Sequence, residues 1–216
     1  MSDGLPGLAP AISRLVRQWM SRSWLLGLLV AALVLLSLLC EAGTDQRWRL
    51  LLRYEREAAL QGEYWRLLTG HLVHGSWLHL WLNCAGVGLI AALFPNHYSP
   101  RQWLLIGLAS LLTIDLGFVF YEPQLSWYVG LSGVLHGALA AGAIAWWRYE
   151  TKRLALALSV IFVGKLAWEQ WHGALPLSGG LAVVVDAHLY GAFGGVIAGT
   201  ILWINTRSQV ADTTQS

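Results

Sequence analysis

From Pro123 to Trp147 the chain carries no Asp, Glu, Lys or Arg. About 20 apolar residues make a helix long enough to cross the ~30 Å hydrocarbon core of a bilayer. Five further runs with at most two charges each follow the same pattern. Membrane spans are therefore predicted at 23–41, 75–94, 102–120, 130–147, 154–171 and 186–204. Only 12% of the 216 residues are charged, about half the ~25% usual in soluble domains. The 13 Trp suit a protein whose rings gather at the headgroup level. The fold class is an all-α membrane protein, a bundle of six transmembrane helices over residues 23–204. Residues 1–22 and 205–216 form cytoplasmic ends. The first run follows Arg14, Arg17 and Arg22, as a secretory signal does, but no small-residue cleavage site follows Leu39. It is read as a retained helix. Cys40 and Cys84 both lie in apolar runs and are read as small hydrophobes, with no disulfide or metal site between them.

The distribution of Lys and Arg assigns an orientation. Arg14, Arg17, Arg22, Arg101, Arg148, Lys152, Arg153 and Arg207 fall on one set of connections, while the segments 121–129 and 172–185 have none. The positive-inside rule puts the first set, and both termini, in the cytoplasm. The first loop, Glu41 to Arg66, holds five Arg balanced by five acids, with Trp48, Tyr54, Tyr64 and Trp65 among them. This composition suits an amphipathic segment lying in the interface.

With that orientation the second, fourth and sixth spans all begin at the outer face. His79 and Asn83 lie one turn apart at the start of the second. Ser132 opens the fourth and His188 the sixth. Polar residues on three separate helices thus share one depth. Peptide hydrolysis needs a nucleophile, a base and donors for a developing oxyanion, and these residues are the right types. Ser132 and His188 are the candidate nucleophile and general base. The Ser132 backbone N–H lies in a first helical turn, where amide groups have no intrahelical acceptor. It is a candidate oxyanion donor, together with the side chains of His79 and Asn83. Gly133 leaves room for a substrate backbone, and Gly130 is a supporting residue of the same run. Gly133 and Gly137 on the fourth span face a stripe of Gly191, Gly195 and Gly199 on the sixth, and small residues at this spacing let membrane helices approach closely.

Each residue also has a plain structural reading. A lone Ser in an apolar helix ordinarily bonds its own i−4 carbonyl. A lone His there is costly and more often functional. His71, His74 and His79 cluster in sequence, but no H-E-x-x-H pattern or acid at ligand spacing accompanies them, so no metal is assigned. His136, one turn after Ser132, is read as a packing or orienting partner for His188. Asp186 either orients that ring or is a solvated acid at a helix start. Lys165 and Glu169, four apart, are read as a pair, and Asp115 as a buried or interfacial charge. A transporter is a competing class, built on Asp115, Lys165 and Glu169, but the two halves show no internal repeat. No cofactor and no nucleic-acid partner are expected.

The motifs Trp65-Arg66, His79-x-x-x-Asn83, Gly130-Leu131-Ser132-Gly133 and Ala187-His188-x-x-Gly191 together resemble the rhomboid intramembrane serine proteases. The resemblance covers roughly residues 60–200. It implies a six-helix fold, a Ser132–His188 dyad with no third catalytic acid, and an oxyanion site lined by His79 and Asn83. A non-catalytic relative that only binds membrane helices would lack the serine or histidine; this chain keeps both. The stretches Trp65 to His74, Val129 to Gly137 and Asp186 to Gly191 look like the rhombosortase subfamily. That likeness implies a bacterial inner-membrane enzyme with its site open to the periplasm. Its implied substrates are exported, single-pass proteins with a Gly-rich C-terminal tail and a membrane helix. A general rhomboid with other substrates is the alternative. Many rhomboids carry Tyr where this chain has His136. The uncharged segment around Ser178-Gly179-Gly180 is a candidate gate.

Overall fold

The structure, a computed structural model, describes residues 47–174 and 183–213, with a few more between 28 and 39. Most of the predicted first span, Cys40, the Ser178-Gly179-Gly180 gate and both chain ends beyond these limits lie outside the described residues. Four short elements come first: α1 (Arg47–Leu52), β1 (Tyr54–Glu55), α2 (Arg56–Leu60) and α3 (Trp65–Thr69). Then follow α4 (Trp77–Leu93), α5 (Pro100–Tyr121), β2 (Trp127–Tyr128), α6 (Ser132–Tyr149), α7 (Lys152–His172) and α8 (Val185–Thr213). The five long helices match the second to sixth predicted spans to within a few residues, except that α8 stays helical to Thr213, beyond the end expected at 204.

Their starts have local causes. Ser76, Ser99 and Thr151 each accept a backbone N–H at the head of α4, α5 and α7. Ser99 and Gln102 close a reciprocal capping box, with Pro100 as the first helical residue, where its missing N–H costs nothing.

At the centre stands α6, whose Gly133, Gly137, Ala140, Ala141, Gly142, Ala143 and Ala145 are buried. It packs against α8 backbone to backbone. A Cβ on Gly191 would lie 2.6 Å from the Gly133 carbonyl carbon, and one on Gly137 would lie 2.6 Å from the Gly191 carbonyl oxygen. The next turn repeats the contact, since a Cβ on Gly195 would meet the Gly137 Cα at 2.6 Å. α5 closes on α8 in the same way, and Thr113 donates to the Tyr190 carbonyl at 2.8 Å. α4 lies on the other flank of α6, with Leu80, Cys84 and Val87 packed around Leu131. Val34, from the predicted first span, joins this cluster, and Cys84 is a free, buried thiol.

From Arg47 on, the first loop is broken into the short elements α1, β1, α2 and α3, gathered around Arg66, which is buried. The Arg66 guanidinium donates to Glu63 Oε2 at 2.6 Å and to the carbonyls of Leu50 (2.8 Å) and Arg53 (2.9 Å). Thr69 donates to the Leu52 carbonyl at 2.6 Å. Arg56 reaches across to the end of α5 and donates to the carbonyls of Phe118 (2.7 Å) and Val119 (3.0 Å), the carbonyls that a helix end leaves free. β1 pairs antiparallel with β2, Tyr54 opposite Tyr128. The loop is thereby stitched to the segment that leads into Ser132. Its apolar side chains Trp48, Leu51, Tyr64, Trp65 and Leu68 stay exposed, as an interfacial element requires.

The interior is mostly apolar, with Ile106, Ile114 and Phe118 fully buried, but the outer surface is apolar as well. Leu104, Leu108, Leu112 and Phe120 on α5, and Val160, Ile161 and Val163 on α7, are exposed. His71, Asn83, Ser110, Asp115, Glu169 and His188 are buried. Soluble monomers rarely show contiguous apolar surface on this scale; a bilayer solvates it. Pro100–Tyr121, Lys152–His172 and Val185–Asn205 are long and apolar enough to cross a membrane by themselves, and Trp77–Leu93 is a shorter apolar helix. α6 is not among the three. Its Gly and Ala face other helices, so it has no need of the bulky apolar residues that lipid contact selects. Three spans of this kind is the count among the described residues, short of the six predicted.

Candidate active site

Ser132 is the first residue of α6, slightly later than the predicted start at 130. Gly130, two residues before it, is held on both sides. Gly130 has φ +120°, a left-handed conformation that glycine alone adopts freely. Its N–H donates to the Gly70 carbonyl at 2.9 Å and its carbonyl accepts from the Tyr128 hydroxyl at 2.6 Å. The chain therefore turns sharply into α6 and presents Ser132 half-buried at the helix head. Unlike α4, α5 and α7, α6 has no side-chain cap. The helix dipole at this end favours a negative charge beside Ser132.

α8 brings His188 to this point. His188 Nε2 lies 3.0 Å from Ser132 Oγ, and the ring is buried. Its other nitrogen, Nδ1, lies 2.9 Å from Glu169 Oε2 near the end of α7. Lys165 Nζ lies 2.6 Å from the same carboxylate oxygen and bonds His136 Nε2. His136 Nδ1 is 2.7 Å from the Ser132 carbonyl oxygen. The His136 and His188 rings stack with centroids 3.9 Å apart and planes 14° from parallel. The partners assign the tautomers. Nδ1–H of His136 donates to the carbonyl, leaving Nε2 to accept from the ammonium. Nδ1–H of His188 donates to Glu169, leaving Nε2 to accept the Ser132 hydroxyl proton. The hydrogen bonds form a closed ring that leaves Ser132 by its hydroxyl and returns by its carbonyl.

His136, Glu169 and His188 each offer one ligand atom, all within 4.8 Å of one another. Such a set can hold a metal ion. Here the Lys165 ammonium contacts all three residues, so a side-chain cation already occupies that position. The expected Lys165–Glu169 pair is present, but Glu169 has a second partner that spacing alone did not suggest. Asp186 lies in the first turn of α8, and the contact to His188 Nδ1 is made by Glu169 instead.

On the other side, His79 and Asn83 project from α4. The His79 ring packs on Gly130: a Cβ there would lie 2.6 Å from its Nε2. Asn83 is buried, and its Nδ2 finds no acceptor among the described residues. A buried donor without a partner costs about 1–3 kcal/mol, which is tolerated where a ligand supplies the acceptor. His74 stands edge-on to His79 at 5.2 Å. Burial, and secondarily the His79 ring, push the His74 pKa down from 6.5 to about 4. Between these values the unfolded chain binds the proton that the folded chain refuses, so stability falls as pH drops from about 6.5 toward 4, by at most about 3 kcal/mol. Thermal unfolding at pH 7 and pH 5 checks this: His74→Phe is expected to lose less stability on acidification than the wild type. An equal loss in both would assign the acid sensitivity elsewhere.

Asp115 is a structural partner outside the serine site. Its Oδ1 lies 3.2 Å from His71 Nε2, with both side chains buried, and the contact ties the segment before α4 to α5.

A rhomboid domain matches residues 61–205, about two thirds of the chain. The rhomboid protease GlpG of Enterobacter sp. (strain 638) is 28% identical over 123 residues, covering 57% of this chain and 43% of that protein. The rhomboid protease GluP of Bacillus subtilis (strain 168) is 32% identical over 87 residues, covering 40% and 17%. RHOMBOID-like protein 7 of Arabidopsis thaliana is 29% identical over 150 residues, covering 66% and 44%. The chain belongs to the rhomboid family. It spans less than half the length of each of these relatives.

Proposed function

We propose that this protein is an intramembrane serine endopeptidase in which Ser132 is the nucleophile and His188 the general base. The observation that carries the reading is the 3.0 Å approach of Ser132 Oγ to His188 Nε2 at the uncapped head of α6. As Oγ attacks the scissile carbonyl carbon, its proton passes to Nε2 and a C–O bond forms. The carbonyl oxygen takes up negative charge and is met by the Ser132 N–H and by the side chains of His79 and Asn83. Nε2 then gives its proton to the leaving amine nitrogen as the C–N bond breaks. A water molecule, deprotonated by Nε2, attacks the acyl group, releases the new carboxyl end and restores the hydroxyl. Removing one oxyanion donor typically costs 10²–10³ in kcat. Asn83→Ala is expected to lose about that much in a cleavage assay with KM little changed; a variant at wild-type rate would remove Asn83 from the site.

The substrates proposed are exported proteins with a glycine-rich segment near a C-terminal membrane helix, as the rhombosortase-like motifs suggest. Each glycine weakens a helix by about 1 kcal/mol, so such a segment unwinds into an extended strand that a serine can attack. The proposed setting is a bacterial inner membrane with both termini cytoplasmic and the serine site facing the periplasm. The named relatives are rhomboid proteases, and a general rhomboid protease with other single-pass substrates is the second reading. The test is cleavage in proteoliposomes of a Gly-Gly-tailed membrane protein and of the same protein with both glycines changed to Leu. Preference for the glycine form supports the narrower reading. Equal rates return it to the general one.

A further inference from the structure

We infer that Glu169 is a positioning residue for His188, so that the site works as a Ser132–His188–Glu169 triad rather than as a two-residue dyad. The inference rests on the proposed serine-protease reading and adds to it a buried carboxylate from a third helix. Four observations carry it. Glu169 Oε2 lies 2.9 Å from His188 Nδ1, the nitrogen facing away from the serine. Both groups are buried, so water does not replace the contact. Lys165 Nζ, 2.6 Å from the same oxygen, balances the carboxylate's charge without being able to accept the imidazole proton. His136 stacks on the His188 ring and bonds both Lys165 and the Ser132 carbonyl, so the ring is fixed in its plane as well as at its edge.

The chemical consequence follows from which nitrogen holds the proton. His188 accepts the Ser132 proton only through an unprotonated Nε2, and the carboxylate selects that form by accepting from Nδ1–H. When Nε2 takes the serine proton, the imidazolium faces an ionised carboxylate at hydrogen-bond distance. Glu169 itself gains no proton; it holds the ring and its charge while Nε2 shuttles one proton from Ser132 to the leaving amine. The ion pair at Lys165 and Glu169, otherwise an expense inside a membrane bundle, then has a use.

The experiment compares wild type, Glu169→Gln, Glu169→Asp and Ser132→Ala as full-length proteins in detergent. It measures kcat and KM on one membrane substrate and records proton and nitrogen NMR of the histidine rings, with His188→Gln assigning the signal. Glu169→Gln keeps the shape and removes the charge. The expected results are a kcat about 10²–10⁴-fold lower with KM within twofold, and at least tenfold recovery in Glu169→Asp. In the wild type, the His188 proton sits on Nδ1 in a strongly deshielded position. Wild-type kcat in Glu169→Gln, or a wild-type His188 carrying its proton on Nε2, overturns the inference. The NMR measurement reads the wild type itself, and only the assignment draws on His188→Gln. If Ser132→Ala still cleaves, the protease reading fails; if Ser132→Ala is dead and Glu169→Gln is fully active, only the role of Glu169 fails.

Discussion

Replacing either Ser132 or His188 by Ala is expected to lower kcat by on the order of 10⁶, with the double variant no slower than either single one. The two side chains form one unit through the 3.0 Å contact between Oγ and Nε2, so removing one half idles the other. The loss is in catalysis and not in folding. Ser132→Ala gives up one hydroxyl at a half-buried helix head, and its thermal unfolding is expected within a few degrees of wild type. Substrate cleavage followed by gel and mass spectrometry reads the rate. Additive losses from the two variants would mean that serine and histidine act separately.

Gly191→Ala is expected to damage the site from a distance. One methyl group is added, yet its carbon would lie 2.6 Å from the carbonyl carbon of Gly133, a backbone atom that cannot rotate away. α8 and α6 must separate. Ser132 precedes Gly133 on one helix, and His188 lies three residues before Gly191 on the other, so the separation lengthens the contact between them. A misplacement of about 1 Å can cost 10²-fold in rate, and overpacking costs typically 1–3 kcal/mol in stability. Both losses are expected in Gly191→Ala, the first by cleavage assay and the second by thermal unfolding. Gly88→Ala on α4 is the control, because nothing lies within 4 Å of the added carbon. That variant is expected to fold and cleave as wild type. Full activity in Gly191→Ala would show that the two helices do not set the serine–histidine distance.

The long helices were legible because each is an apolar run bounded by charge or by a capping Ser or Thr, a local signal. The co-placement of Ser132 and His188 was legible because charge-derived orientation puts both at the same end of their helices, and the glycine stripe says that those helices touch. What escaped has a common cause. Glu169 and His188 are 19 residues apart on different helices, and the spacing of Lys165 to Glu169 already accounts for both charges locally, so nothing pointed further. His71 and Asp115 are 44 apart, with no motif linking them. The architecture of the first loop was hidden because Arg66 bonds backbone carbonyls, which every residue has and no sequence pattern marks. β1 and β2 are two residues each, too short for alternation to show. Lipid-facing composition also misleads at α6, where burial against other helices selects Gly and Ala and lowers the hydropathy of a central helix.

A fluorophosphonate probe tests the central claim most directly, because it reacts with a serine only when a base activates the hydroxyl and donors receive the phosphoryl oxygen. The purified protein is treated in detergent, digested and mapped by mass spectrometry. A single adduct on Ser132, absent in Ser132→Ala and strongly slowed in His188→Ala, is the predicted result. No adduct on the folded wild type, or an adduct that persists in Ser132→Ala, would contradict the account.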